Sequence, residues 1–319
     1  MVDRLFAVLI ACAVSCAHAL RVCGLEVPSA KLSPASRALD DVNWPDAFPY
    51  TKADLTPMMD GNDGLFYVIP KFVQHAGGEC RASLTEFYKT ILPSENGDVL
   101  DLCSSWTSHY PEGWSGRRVV ALGLNPLELA ANPSKTEWTR QDLNTDPKLP
   151  CEGPSRAPRA PVRARRVRRV AAAAHTRRVL GEGLHMVCAS GYRSARCACA
   201  RVCTVDDASF DVITNSLSVD YLTQPLEVFA EMARVLKPGG VACCAFTNRC
   251  FPTKVVPVWT RPFTEAHHAK VVGAYYHFSS PSWTDIGVAD VSPDGWAGQR
   301  DPAVVVIGRK EEGWVPLNE

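Results

Sequence analysis

Hydrophobic and polar positions are most legible between residues 205 and 248. In FDVITNS, Phe210, Val212 and Ile213 are apolar, the pattern of a buried strand. From Pro225 onward, Leu226, Phe229, Met232, Ala233 and Leu236 recur at three- and four-residue steps. Glu227, Glu231 and Arg234 fall off that face, which predicts an amphipathic helix. Lys237 is expected to close the last turn, where a cation complements the helix dipole, and Pro238-Gly239-Gly240 to end it. Val241 to Phe246 forms a second short apolar run. Strand, helix and strand in that order predict one unit of a parallel sheet covered on both faces.

The same alternation continues on both sides. Ser83 and Glu86 have capping-box spacing before the apolar positions Leu84, Phe87, Tyr88 and Ile91, so a helix is expected there, ended by Pro93, Asn96 and Gly97. Val99 to Leu102 reads as the first sheet strand, and the loop Cys103 to His109 leaves its carboxyl end, where open α/β sheets bind ligands. Arg118 to Leu124 predicts a second strand, followed by a helix containing Leu127, Leu129 and Ala130. Glu137 to Leu143 predicts a third. Glu265 to Phe278 can form a helix, and IGVADVSP and AVVVIGRK can pair as an antiparallel terminal hairpin.

The string VDDASFDVITNSLSVDYLTQPLEVFAEMARVLKPGGVACCAFTN resembles the second half of a class I S-adenosylmethionine-dependent methyltransferase core. FY-x2-P-x-FV-x-H and DLCSSWTSHYP resemble a less studied branch of that superfamily, from plants, algae and bacteria, in which Ser-Ser-Trp replaces the usual Gly-rich loop. The resemblance spans about residues 64–150 and 205–310. It implies an α/β fold: a doubly wound, mostly parallel seven-stranded sheet with a C-terminal antiparallel hairpin. It also implies S-adenosylmethionine as cofactor and methyl transfer as the reaction, onto a small-molecule acceptor that it does not identify. A non-catalytic methyltransferase-like binding or scaffold protein is the alternative.

By the same resemblance, Asp101, Cys103, Ser104, Ser105, Asn125 and Asp142 are the cofactor-side residues, with Asp142 directed at the adenine amino group. Many relatives carry an acid at the end of the second strand to hold the ribose hydroxyls. Gly123 stands there in this chain, and Asn125 is the expected neutral substitute. Asn215 and Ser216 end the fourth strand and are expected to face the methyl group and the acceptor. A general base is needed only if the acceptor must lose a proton; His109, Asp220, Tyr221 and His277 are the candidates. No metal is expected.

Composition changes this picture in three places. The formal net charge is +0, yet residues 151–204 hold 12 Arg, no Lys and 2 acids, leaving the rest of the chain acidic. Joining Pro150 to Val205 restores the family wording, QDLNTDPKLPVDDASFDV. The segment between reads as an unspliced intron, a disordered basic loop or a nucleic-acid-binding insert; it carries no recognisable binding fold, so no specific nucleic acid is expected. At the N-terminus, Arg4, an apolar stretch to Cys16 and Ala17-His18-Ala19 have a signal-peptide layout over 1–19, with a buried N-terminal helix as the alternative. Residues 20–44 are expected to be a disordered, transit-like leader, pointing to an algal plastid or to secretion. The methyltransferase-like domain is then expected over 45–150 with 205–319, with no membrane partner expected in the mature protein. The placement of the 13 cysteines argues against a disulfide framework. Cys243 and Cys244 fall in an expected buried strand as small hydrophobes, and C-x-C-x3-C at 197–203 lacks the second half of a zinc site.

Overall fold

A computed structural model describes residues 20–61, 63–150, 205–294 and 300–313, all within one compact unit. The expectations for 1–19 and 151–204 lie outside these residues. Nine strands are described: β1 Leu20–Val22, β2 Leu25–Val27, β3 Asp98–Leu102, β4 Arg118–Gly123, β5 Glu137–Arg140, β6 Phe210–Ser216, β7 Leu236–Phe246, β8 Trp283–Asp290 and β9 Val304–Lys310. The helices are α1 Lys52–Leu55, α2 Asp63–Phe66, α3 Gly78–Ile91, α4 Pro126–Ala131, α5 Pro225–Val235 and α6 Glu265–Ser279.

β3 to β9 form a seven-stranded sheet in the order β5-β4-β3-β6-β7-β9-β8. β3, β4, β5, β6 and β7 pair in parallel, while β9 is antiparallel to both β7 and β8. This is the expected doubly wound sheet with its terminal hairpin. Alternate side chains along each strand enter two cores. Leu100, Leu102, Val120, Leu122, Ile213 and Cys244 pack with α5 and α6, whereas Val99, Val119, Val212, Cys243 and Ala245 pack with α3 and the β1–β2 hairpin. Helix α5 buries Val228, Phe229, Met232, Ala233 and Val235. Each fully buried large apolar side chain is worth roughly 1.5–3 kcal/mol, so this face alone holds α5 on the sheet.

Three expectations are corrected. Residues 20–44 are not disordered. Val22, Cys23 and Val27 are buried in the α3-side core, and the Cys23 thiol donates to the carbonyls of Asp285 and Ile307 at 3.5 and 3.4 Å. Lys31 N–H donates to the Asp290 carbonyl at 2.8 Å, and Leu39 fills the space beside Gly273 of α6, where a Cβ would lie 2.6 Å from Leu39 Cδ2. Helix α3 starts five residues before the expected capping box, with Gly77 as N-cap, so Ser83 is an interior position. Its expected face is nonetheless the buried one: Leu84, Phe87, Tyr88 and Ile91. Lys237 lies in β7 instead of the helix; its ammonium reaches Asp211 at 2.8 Å and Asp98 at 3.1 Å, and Gly239 takes a left-handed φ of 74°. Two flanking carboxylates outcompete the helix terminus for that cation.

Val205 N–H donates to the Pro150 carbonyl at 2.7 Å, so the chain leaves and re-enters this unit at one point. Replacing 151–204 by a Gly-Gly bridge is therefore expected to leave the thermal midpoint within a few degrees of the full chain. A loss of cooperative unfolding would show that the segment contributes to the fold.

Candidate functional site

The direction of chain progress reverses between β3 and β6, the switch point at which open α/β sheets leave a crevice. A cavity of about 340 Å³ lies there, at the carboxyl ends of β3, β4, β5 and β6. This is within the usual range for a small-molecule site. The loop after β3, the ends of β4 and β5, the segment after β6 and Arg249 to Phe251 wall it in. Residues of the 63–75 segment complete the wall: Asp63, Tyr67, Lys71, Gln74 and His75 line the cavity. Leu65, Val68, Ile69 and Phe72 of that segment are exposed.

The loop 103–108 has no glycine, and hydroxyl groups hold it instead. Asp101 is buried, and its Oδ2 accepts from Ser104 Oγ at 2.6 Å and Ser108 Oγ at 2.7 Å, while Oδ1 accepts from Thr214 Oγ1 at 2.9 Å. Asn132 Nδ2 donates to the Ser105 carbonyl at 3.0 Å and to Ser108 Oγ at 2.8 Å. Ser104 N–H donates to the Leu122 carbonyl at 2.7 Å, drawing the loop against the end of β4. The close approach usually granted by loop glycines is granted here by Gly123: a Cβ there would lie 2.1 Å from the Ser104 carbonyl oxygen. No side chain fits at 123, so the strand-end acid of the wider family is sterically excluded.

A different carboxylate occupies that end of the cavity. Glu128, in the first turn of α4 and only 7% exposed, lines the cavity. Its Oε1 accepts from Lys71 N–H at 2.6 Å and its Oε2 from Ser105 Oγ at 2.5 Å, tying the 63–75 segment, the β3 loop and α4 together. Each oxygen keeps a lone pair for a ligand. The sequence reasoning missed this residue. The signal was present: Asn125-Pro126 is a helix start, which places Glu128 in the first turn, facing back toward the strand ends.

The expected cofactor residues divide into wall and support. Asp101, Cys103, Ser104, Ser105, Asn125, Asp142 and Ser216 all line the cavity. Asn125 is not a free substitute for the missing acid: its Oδ1 caps α4 by accepting from Leu127 and Glu128 N–H, and its Nδ2 donates to the Tyr67 carbonyl at 2.8 Å. Asp142 accepts from Asn144 N–H at 3.0 Å and Thr145 Oγ1 at 3.1 Å, closing the turn after β5 with its carboxylate still in the cavity wall. Ser216 Oγ and Tyr88 Oη share a hydrogen bond of 2.5 Å. Asn215 lies on the opposite face of β6, buried beneath the cavity, with Oδ1 unpartnered among the described residues. Burial pushes the Cys103 thiol up to about 12, so it stays neutral.

Of the four base candidates, only His109 and Tyr221 line the cavity. Burial, with Arg81 and His75 nearby, pushes the His109 imidazole down to about 4, so it is neutral at physiological pH. Burial raises the Tyr221 phenol, whose oxygen accepts from Phe251 N–H at 2.9 Å. Asp220 is buried behind the wall, and burial pushes its carboxyl up to about 8, too high for an ionised base at neutral pH. His277 is corrected outright: it lies on α6, stacked on Trp44 at 5.2 Å, and lines no part of the cavity. Among the described residues, no group of His, Cys, Asp or Glu is placed to hold a metal ion, and no helix is long and apolar enough to cross a membrane.

A methyltransferase-domain family matches residues 168–244, of which 205–244 are described here. No functionally curated protein matches the chain. Similar solved structures include an S-adenosylmethionine-dependent methyltransferase from Mesorhizobium loti, 14% identical over 70% of this chain and 95% of that one, with a TM-score of 0.37. The [4+2]-cyclase SpnF is 11% identical over 79% of this chain and 96% of its own, with a TM-score of 0.43. A geranyl diphosphate methyltransferase solved with geranyl diphosphate and sinefungin is 11% identical over 72% and 77%, with a TM-score of 0.37. Residues 168–244 are thus similar to a methyltransferase domain, and the described sheet has the strand order and terminal hairpin that the sequence resemblance implied.

Proposed function

We propose that the chain binds S-adenosylmethionine in this cavity and transfers its methyl group to a small-molecule acceptor. The observation that carries the reading is the pair of carboxylates, Glu128 and Asp142, on the walls beyond β4 and β5, beside the loop that leaves β3. The donor set suits the cofactor. Glu128 retains acceptor capacity for the two ribose hydroxyls, Asp142 for the adenine amino group, and the apolar side chains of Leu122 and Leu143 flank a flat ring. Bound there, the cofactor supplies an already activated methyl group on a sulfonium.

The remaining work falls to the protein. Ser216 and the segment Leu217-Ser218 stand at the β6 end, where an acceptor atom would meet the methyl group. Alignment of the two supplies most of what such a displacement needs. Tyr67, Trp106 and His75 close the cavity from the 63–75 side and the β3 loop, limiting water, and Trp106 Nε1 donates to the Val73 carbonyl at 3.3 Å to join those two walls. His109 offers a neutral nitrogen to a leaving proton, and its low basicity suits an acceptor that is nucleophilic without prior deprotonation.

Calorimetric titration with S-adenosylhomocysteine tests the reading. Micromolar binding is expected, and Glu128→Gln should weaken it by about tenfold, roughly 1.4 kcal/mol, because a neutral amide replaces a charge-assisted acceptor. Binding that is indifferent to Glu128→Gln would remove this residue from the site. Binding with no transfer to any acceptor would select the non-catalytic alternative.

A further inference from the structure

The half of the cavity that adjoins the residues after β7 has its own chemistry. Arg249, Cys250 and Phe251 follow β7 and line it with Tyr67, His75 and Tyr221. Phe251 is the centre of a ring cluster, with centroids 5.6 Å from Phe66, 5.8 Å from His75 and 5.9 Å from Tyr221. Arg249 is held by one edge: its Nε lies 2.7 Å from Asp301 Oδ2, and its side chain remains 60% exposed. Asp301 is itself fixed, 11% exposed, with the same oxygen accepting from Gly77 N–H at 2.6 Å. The two terminal nitrogens of the guanidinium make no other hydrogen bond or ion pair among the described residues. A guanidinium anchored at one edge presents its remaining donors in a rigid planar fork, suited to a bidentate carboxylate.

The local charge balance points the same way. Lys71 lies 4.5 Å above the Phe66 ring and donates to the Phe66 carbonyl, with no carboxylate partner among the described residues. The nearby carboxylate of Asp63 is already committed to the Lys254 ammonium and to Asn144 Nδ2. Flat rings beside two cations favour a flat anion, while Glu128, bonded to Lys71 N–H and Ser105 Oγ, faces the β4 side.

We infer that this half of the cavity binds an aromatic carboxylate, with Arg249 as the anchor for its carboxyl group and the Phe251–Tyr221 wall against its ring. The inference rests on the methyltransferase reading only in naming that molecule the acceptor; the binding chemistry stands without it. The cofactor's own carboxylate is the other possible source of the anion, and the experiment separates the two.

Benzoate, 4-hydroxybenzoate and trans-cinnamate, each beside its methyl ester, are titrated into the full chain with and without saturating S-adenosylhomocysteine. At least one acid should bind tenfold or more tightly than its ester. Arg249→Gln should bring that acid down to the level of its ester while S-adenosylhomocysteine affinity holds. Its thermal midpoint, compared with the parent, confirms folding, and Arg249→Lys should restore part of the preference. Acids and esters binding alike, or none binding, overturns the inference. So does a loss confined to S-adenosylhomocysteine, which would assign Arg249 to the cofactor. If S-adenosylhomocysteine fails to bind while the acid preference persists, the cofactor reading falls and this one stands.

Discussion

Gly123→Ala is expected to damage the protein more than any other single-methyl change in the described residues. The new Cβ would sit 2.1 Å from the Ser104 carbonyl oxygen and 3.2 Å from Leu129 Cδ2. The obstacle is backbone, and it cannot swing aside, because Ser104 N–H is bonded to Leu122 and its hydroxyl to Asp101. Relief requires lifting the whole loop from β4, breaking the bonds of Asp101 and Asn132 with it. Overpacking of this kind costs about 2–3 kcal/mol, which lowers the thermal midpoint of a domain this size by roughly 5–10 °C. S-adenosylhomocysteine affinity should fall by more than tenfold, since the displaced loop is a wall of the proposed site. Thermal denaturation and calorimetry read both effects. An alanine variant with parental stability and affinity would show that the loop does not rest on β4.

Asp101→Leu should come next. The carboxylate is the common acceptor for Ser104, Ser108 and Thr214, and Thr214 Oγ1 is in turn bonded to Tyr110 Oη at 2.6 Å. Burial raises the Asp101 carboxyl against the opposing pull of those three hydroxyls. Leucine removes the acceptor and leaves three hydroxyls buried without a shared partner. Breaking a buried network by deleting its centre costs about 3–5 kcal/mol. Asp101→Asn keeps the shape and one acceptor oxygen, so it should cost less than half as much. Urea denaturation of the pair of variants checks the order; a leucine variant as stable as the asparagine one would mean that the hydroxyls find other partners and that Asp101 does not organise the loop.

These two residues also show how far the sequence could be read. Asp101 is legible through the family resemblance, one residue before the end of an apolar strand whose carboxyl end is where parallel sheets bind ligands. Its actual work, gathering three hydroxyls, depends on Thr214, more than a hundred residues away, and no local pattern reports that. Gly123 looked like a missing acid. The space that excludes a side chain there is created by Ser104, on another strand's loop, so only the folded packing reveals why glycine is required. The face of α5, the strand β6 and the β8–β9 hairpin were legible because amphipathic period and alternation are local properties. The packing of 20–44 was not: its few apolar residues are separated by polar ones, and Cys23 finds its partners near the far end of the chain. Lys237 was misplaced for a related reason, since the helix terminus lies close in sequence while Asp98 and Asp211 lie close only in space. Glu128 and Arg249 carry no motif of their own; the cavity gives them meaning.

S-adenosylmethionine is proposed to occupy the cavity outside β3, β4, β5 and β6. A crystal structure of the full chain with S-adenosylhomocysteine tests it most directly. The expected result has the ribose hydroxyls against the Glu128 carboxylate, the adenine amino group near Asp142 and the sulfur toward Ser216. Well-ordered protein with that ligand elsewhere, or with none bound at saturating concentration, would contradict it.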